Sequence, residues 1–93
     1  MIHEVRISRS AEKQLRRVPP HGADKLQVWV ELVVTSGLEK ARRVPGYHDE
    51  SLKGQRTGQR SIRLSRAYRA IYEVVKDGSV EFVFLEEVSK HEY

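Results

Sequence analysis

Apolar and polar residues alternate from His3 to Ser8, with Val5 and Ile7 on one side, which predicts a short first strand. The period then changes. Ala11, Leu15 and Val18 recur at helical spacing, so a helix is expected over about residues 11–18, capped by Ser8 or Ser10 with Glu12 in its first turn. Pro19-Pro20 ends it, and Pro20 also suits the first turn of a second helix. Ala23, Leu26, Val30 and Val33 carry the helical repeat onward with Trp29 beside them, until Ser36-Gly37 stops the run. The tract QVWVELVV also suits a strand by propensity, so the spacing favours a helix here without closing the other option.

Residues 38–59 read as a short helical piece followed by a loop, since VPGYHDESLKGQRTG carries the Pro, Gly and Asp punctuation of irregular chain. Period-2 alternation then returns. Ile62 and Leu64 alternate with Ser61, Arg63 and Ser65, and Tyr68, Ala70, Tyr72 and Val74 alternate in the next run. Asp77-Gly78 is a two-residue hairpin signal leading into residues 79–88, where Val80, Phe82 and Phe84 oppose Val83 and Leu85. The expected order is β-α-α-β-β-β, without repeats or linkers. It is an α+β fold in which two N-terminal helices pack on one face of a small, antiparallel-rich sheet. The other face is left to present Arg63 and Arg69.

A length of 93 residues fits one domain spanning 1–93. No apolar run is long enough to span a membrane, the N-terminus lacks the apolar stretch of a signal peptide, and no cysteine is available for disulfides or thiolate metal sites. A cytoplasmic protein without metal or other cofactor is expected. Charge adds a sharper clue. The chain carries +4, yet between Ser51 and Tyr72 lie six cations (Lys53, Arg56, Arg60, Arg63, Arg66 and Arg69) and no acid. Outside that segment eleven cations face thirteen acids. Five of the six are Arg, whose planar fork suits phosphate, so RNA, DNA or an acidic protein segment is the expected partner. A solvated loop kept basic for solubility is the plain alternative.

Candidate chemistry narrows this further. RNA can be cut without metal when its own 2′-hydroxyl attacks the adjacent phosphate, given a base, a cation on the phosphorane and an acid for the leaving 5′ oxygen. Glu50 in the loop, Arg69 on a strand and His91 after the last strand supply one residue for each task. Several other residues read as structure. Trp29, Tyr68 and Tyr72 fall on core positions, His3, His21 and His48 suit the surface or caps, and Glu81, Glu86 and Glu87 suit an exposed edge. His48, Asp49 and Glu50 are too close in sequence to converge well on one ion. His91-Glu92-Tyr93 would ordinarily be a chain-end tail.

The stretch DESLKGQRTGQRSIRLSRAYRAIYEV and the ending VEFVFLEEVSKHEY resemble the RelE/ParE superfamily of bacterial type II toxins, closest to its RelE, YoeB and HigB branches. The resemblance covers nearly the whole chain in element order. It rests on Glu50, Leu52 and Lys53, on the Arg66, Tyr68, Arg69 and Tyr72 hairpin pattern, and on the terminal Lys-His-x-Tyr. It implies a RelE-like microbial RNase fold and a ribosome-dependent, metal-independent mRNA endonuclease. It further implies a cognate antitoxin, contact with 16S rRNA and mRNA, and operator DNA bound only through the antitoxin complex. By resemblance Glu50 is the general base (with Ser51 where the pattern has Pro), Arg69 binds the phosphate, Arg63 takes the place of a catalytic Lys, and His91 is the general acid. Lys53, Arg56, Arg60, Arg66, Lys90 and Tyr93 would contact phosphate or RNA. Glu92, standing between His91 and Tyr93, departs from the pattern and leaves the role of Tyr93 open; His48 shares or replaces the base in some branches. The same fold in its ParE form binds DNA gyrase without nuclease chemistry, and a silenced homologue would bind only its antitoxin and operator.

Overall fold

Ser8 sets where the first helix begins. In the computed structural model, which describes residues 1–90, its Oγ accepts from the Ala11 N–H at 2.9 Å, an N-cap that satisfies one otherwise unpaired donor. Strand β1 (Val5–Ile7) therefore passes directly into helix α1 (Arg9–Leu15), which starts two residues before the expected position. Pro19 caps helix α2 (Pro20–Ser36) and Pro20 occupies its first turn, where a missing N–H is harmless. The QVWVELVV tract is helical, with Leu26, Trp29 and Val33 buried. Gly37 stops α2 with φ of 92°, a conformation that favours glycine, and a short helix α3 (Leu38–Arg42) follows. Two 3₁₀ turns, Pro45–Tyr47 and Gly54–Arg56, bracket the short strand β2 (Glu50–Ser51).

The remaining strands are β3 (Arg60–Arg63), β4 (Tyr68–Asp77) and β5 (Val80–Lys90). They join the others in one five-stranded sheet of order β1-β5-β4-β3-β2, antiparallel except where β1 runs parallel to β5. Three helices pack on this α+β sheet, so the expected class holds; α3 is the short helical piece expected after Gly37, and β2 is an added strand. One face buries Trp29, Val33, Leu38, Ile62, Leu64, Tyr72, Val83, Leu85 and Val88. Trp29 and Tyr72 meet there with ring centroids 5.0 Å apart. No helix among the described residues is long and apolar enough to cross a membrane.

β5 is an interior strand between β1 and β4, which corrects the expectation that Glu86 and Glu87 lie on an exposed edge; only Glu81 is exposed. Ile71 pairs with Glu87 while Tyr72 pairs with Leu85, leaving Glu86 as an unpaired extra residue, a β-bulge. The bulge shifts the alternation. Leu85 and Val88, three residues apart, both enter the core, and Glu87 turns to the opposite face. Helix α1 occupies the backbone groups around the bulge. The Ser8 hydroxyl donates to the Glu86 carbonyl at 2.7 Å, and the Val88 N–H donates to Gln14 Oε1 at 2.7 Å.

Candidate active site

Of the predicted residues, Glu50, Arg63 and Arg69 lie on the sheet face without helices. Cross-strand pairing aligns Glu50, Ser61, Ile71 and Glu87 in one row, and Arg63, Arg69 and Ser89 in the next. Side chains in such rows share a face, so residues with carboxylates stand at both ends of one row and two arginines face each other across the strands in the other. A shallow cavity of about 320 Å³ lies over this junction, lined by Glu50, Arg56, Ser61, Arg69, Ile71 and Glu87 among others.

Arg69 is the centre of the arrangement. Its Nη1 donates to Glu50 Oε1 at 3.3 Å and to Ser61 Oγ at 3.0 Å, and its side chain is only 19% exposed. Ser61 is itself buried, which leaves the guanidinium little freedom. Glu50 is far more open, at 62%. Arg63 pairs directly across from Arg69, and like charges in that relation repel. An anion bridging the two would relieve the repulsion.

Glu50 is aimed by its neighbour. Asp49 points to the helix side with its side chain fully buried, where Arg60 Nε donates to Oδ1 at 2.6 Å and the Tyr72 hydroxyl donates to Oδ2 at 2.5 Å. Burial works to lower the Arg60 pKa, and the hydrogen bond and charge of Asp49 outweigh it, leaving the pKa raised. Burial, then Asp49, pushes the Tyr72 hydroxyl well above the usual phenol range. His48, at φ of 44°, makes the left-handed turn into this segment. Alternation then sends Asp49 inward and Glu50 outward, so the two acids diverge rather than share a ligand.

The other expected contacts divide. Arg56, on the loop between β2 and β3, reaches Glu87, with Nη2 donating to Oε1 at 3.0 Å. Its Nη1 donates to Gln59, which in turn donates to Glu86. Arg60 faces the Asp49 side, away from Arg69. Lys53 is exposed on the loop, Arg66 is exposed in the β3–β4 turn, and Lys90 is exposed at the end of β5 opposite Tyr68. His91 and Tyr93 lie outside the described residues. The residues that sequence reading missed are Asp49, the anchor, and Glu87, on the site floor. For Glu87 a signal existed: apolar residues at 83, 85 and 88 break strict alternation.

No protein-family model matches the sequence, and no curated protein matches it either. Solved structures do. The fold is that of the RelE, YoeB and YafQ toxins. YafQ from E. coli strain BL21(DE3) aligns with a TM-score of 0.72 and 16% identity over 96% of this chain and 93% of that one. The YoeB/ParE toxin from Agrobacterium tumefaciens gives 0.67 and 19% over 96% and 99%. RelE in the archaeal RelE-RelB complex from Pyrococcus horikoshii OT3 gives 0.69 and 19% over 97% and 96%. YafQ is also described in a toxin-antitoxin complex with DinJ.

Proposed function

We propose that this chain is the toxin of a toxin–antitoxin pair and cuts messenger RNA on the ribosome. The observation that carries the reading is Arg69, fixed by Ser61 and Glu50 and opposed by Arg63 on an open sheet face. In the reaction Glu50 takes the proton of the 2′-hydroxyl as that oxygen attacks phosphorus. Arg69 and Arg63 hold the non-bridging oxygens as charge builds on the phosphorane. His91 gives a proton to the departing 5′ oxygen, leaving a cyclic phosphate and a free 5′-hydroxyl. The scheme needs no metal, because the nucleophile is intramolecular and the cations are side chains. Arrival of phosphate at Arg69 competes with its 3.3 Å hydrogen bond to Glu50, so substrate binding itself frees the base. Lys53, Arg66 and Lys90 add contacts to mRNA or 16S rRNA, and Tyr93 and His48 are further positions to test. An antitoxin with an acidic or amphipathic segment covers the site, and the complex binds operator DNA through the antitoxin. The site of action is the cytoplasm.

Induction of the chain without antitoxin, with pulse labelling and mapping of mRNA 5′ ends, tests this. Rapid loss of protein synthesis with cuts in translated messages is expected, and Arg69→Ala or His91→Gln should relieve the arrest while the protein stays folded. Collapse of DNA synthesis with intact messages would replace the reading with gyrase binding, the activity that the fold serves in its ParE form. Normal growth would leave a silenced homologue.

A further inference from the structure

Glu87 has no part in the acid–base scheme, yet it stands on the floor of the same cavity. Its row places it roughly 14 Å from Glu50 at the Cα atoms, three interstrand spacings of ~4.8 Å, with Arg69 in the neighbouring row between them. A carboxylate aimed into a phosphate site repels the ligand unless the ligand donates a hydrogen bond to it. Phosphates and sugars carry few donors, and base edges carry several. The surroundings of Glu87 suit a base. Ile71, 7% exposed, and half-buried Leu52 give an apolar surface in the cavity, and the Arg56 guanidinium offers a plane on which a base can stack. The volume of about 320 Å³ lies near the lower end of the ~300–1,000 Å³ found for small-ligand sites.

The geometry points to Glu87 as the reader of a guanine base in the bound RNA, at a subsite beside the phosphate held by Arg69. The inference rests on the RNA-cleaving reading for its ligand. Its selectivity follows from the base edges. Guanine presents N1–H and N2–H side by side, two parallel donors that match two carboxylate oxygens as a guanidinium fork does. Adenine and cytosine put a ring-nitrogen acceptor next to their amino group, and uracil flanks its one N–H with two carbonyls, so each sets a lone pair against the carboxylate. Arg56 takes one of the roughly four acceptor positions of Glu87, and the pair persists when the base enters. The bulge at Glu86 is what turns Glu87 to this face, so the specificity residue is a product of the strand irregularity.

Binding of three non-cleavable dinucleotides, with 2′-deoxyguanosine, 2′-deoxyinosine or 2′-deoxyadenosine as the first nucleoside, to the full chain tests this by NMR titration. The guanine ligand should bind at least about tenfold more tightly than the adenine ligand, with hypoxanthine, which lacks the N2 amino group, in between. Glu87→Gln presents one acceptor and one donor, the complement of adenine's ring nitrogen and amino group, and should abolish the guanine preference or reverse it towards adenine. Equal binding by the wild-type chain, a gap retained in Glu87→Gln, or a uniform loss for all three ligands would overturn the inference; the last would make Glu87 only a support for Arg56. GTP bound more tightly than the guanine dinucleotide would assign the site to a free nucleotide and overturn the RNA assignment. Cleavage is scored separately on programmed ribosomes. Guanine preference without cleavage removes the nuclease reading alone, and cleavage without Glu87-dependent preference removes this inference alone.

Discussion

Asp49 shows how a buried residue outside the cavity sets the direction of one that lines it. Its buried carboxylate accepts from Arg60 and Tyr72, and the next residue, Glu50, is thereby held on the open face. Tyr72→Phe removes one donor and leaves a buried oxygen unsatisfied, so it should cost roughly 1–3 kcal/mol in urea unfolding. An unchanged midpoint would mean that the hydroxyl carries little of the anchoring. Glu86 gives a prediction in pH. Its pKa is raised, first by burial and then by the nearby Glu73, so ionising it costs more in the folded state than in the unfolded chain. Its stabilising contribution is present below the ordinary carboxylate range and is lost as pH rises through the raised value. Glu86→Gln should therefore melt higher than wild type near pH 7 and show no such gain near pH 3, as thermal unfolding at the two pH values would reveal.

At the scale of elements, the junction of α1 and β5 is decisive. Ser8 caps the helix and also donates to the carbonyl of the bulged Glu86, while Gln14 accepts from the Val88 N–H just beyond it. A bulge leaves backbone groups without ladder partners, and here a helix supplies them. Ser8→Ala removes the cap and the bond to Glu86 together, with an expected loss of about 1–2 kcal/mol in denaturant unfolding. Gly22 marks a second constraint, on α2. A Cβ there would meet Val18 Cγ1 at 2.7 Å, so Gly22→Ala should destabilise the α1–α2 packing despite the better helix propensity of alanine. A higher melting temperature for that variant would show that Val18 moves aside freely.

Across the whole molecule the +6 segment is much less cationic than its composition suggests. Arg60 is bound to Asp49, Arg56 to Glu87 and Arg69 to Glu50. Single-stranded RNA releases about 0.7 counterion for each phosphate neutralised. With Arg56 and Arg60 kept by their carboxylates and Lys53, Arg63, Arg66 and Arg69 on RNA, the log–log salt slope would be roughly −2.8, against roughly −4.2 if all six cations met phosphate. Titrating a short RNA at several salt concentrations measures this, and Arg63→Ala should lower the slope magnitude by roughly 0.7. A slope near the larger figure would mean that RNA displaces the internal carboxylates from their arginines.

Periodicity and punctuation in the sequence determined most of the elements: the Val5–Ile7 strand, the proline-started α2, the Asp77-Gly78 hairpin and the helix-covered sheet. These depend on residues a few positions apart, so local pattern carries them. The same patterning put Arg63 and Arg69 on the uncovered face, because alternation in a strand leaves its cations there, whereas Glu50 was read from a loop by its chemistry and by the resemblance. Tertiary structure alone decided the strand order, with β1 added at the edge parallel to β5 and β5 thereby made an interior strand. It also separated the arginines, sending Arg60 to a buried acid and Arg69 to the cavity, since alternation states a face without naming the partner that waits there. The bulge at Glu86 belongs to the same class. Its break in the apolar pattern is visible in the chain, yet its outcome for Glu87 depends on β4 and α1, which meet β5 only in the folded protein.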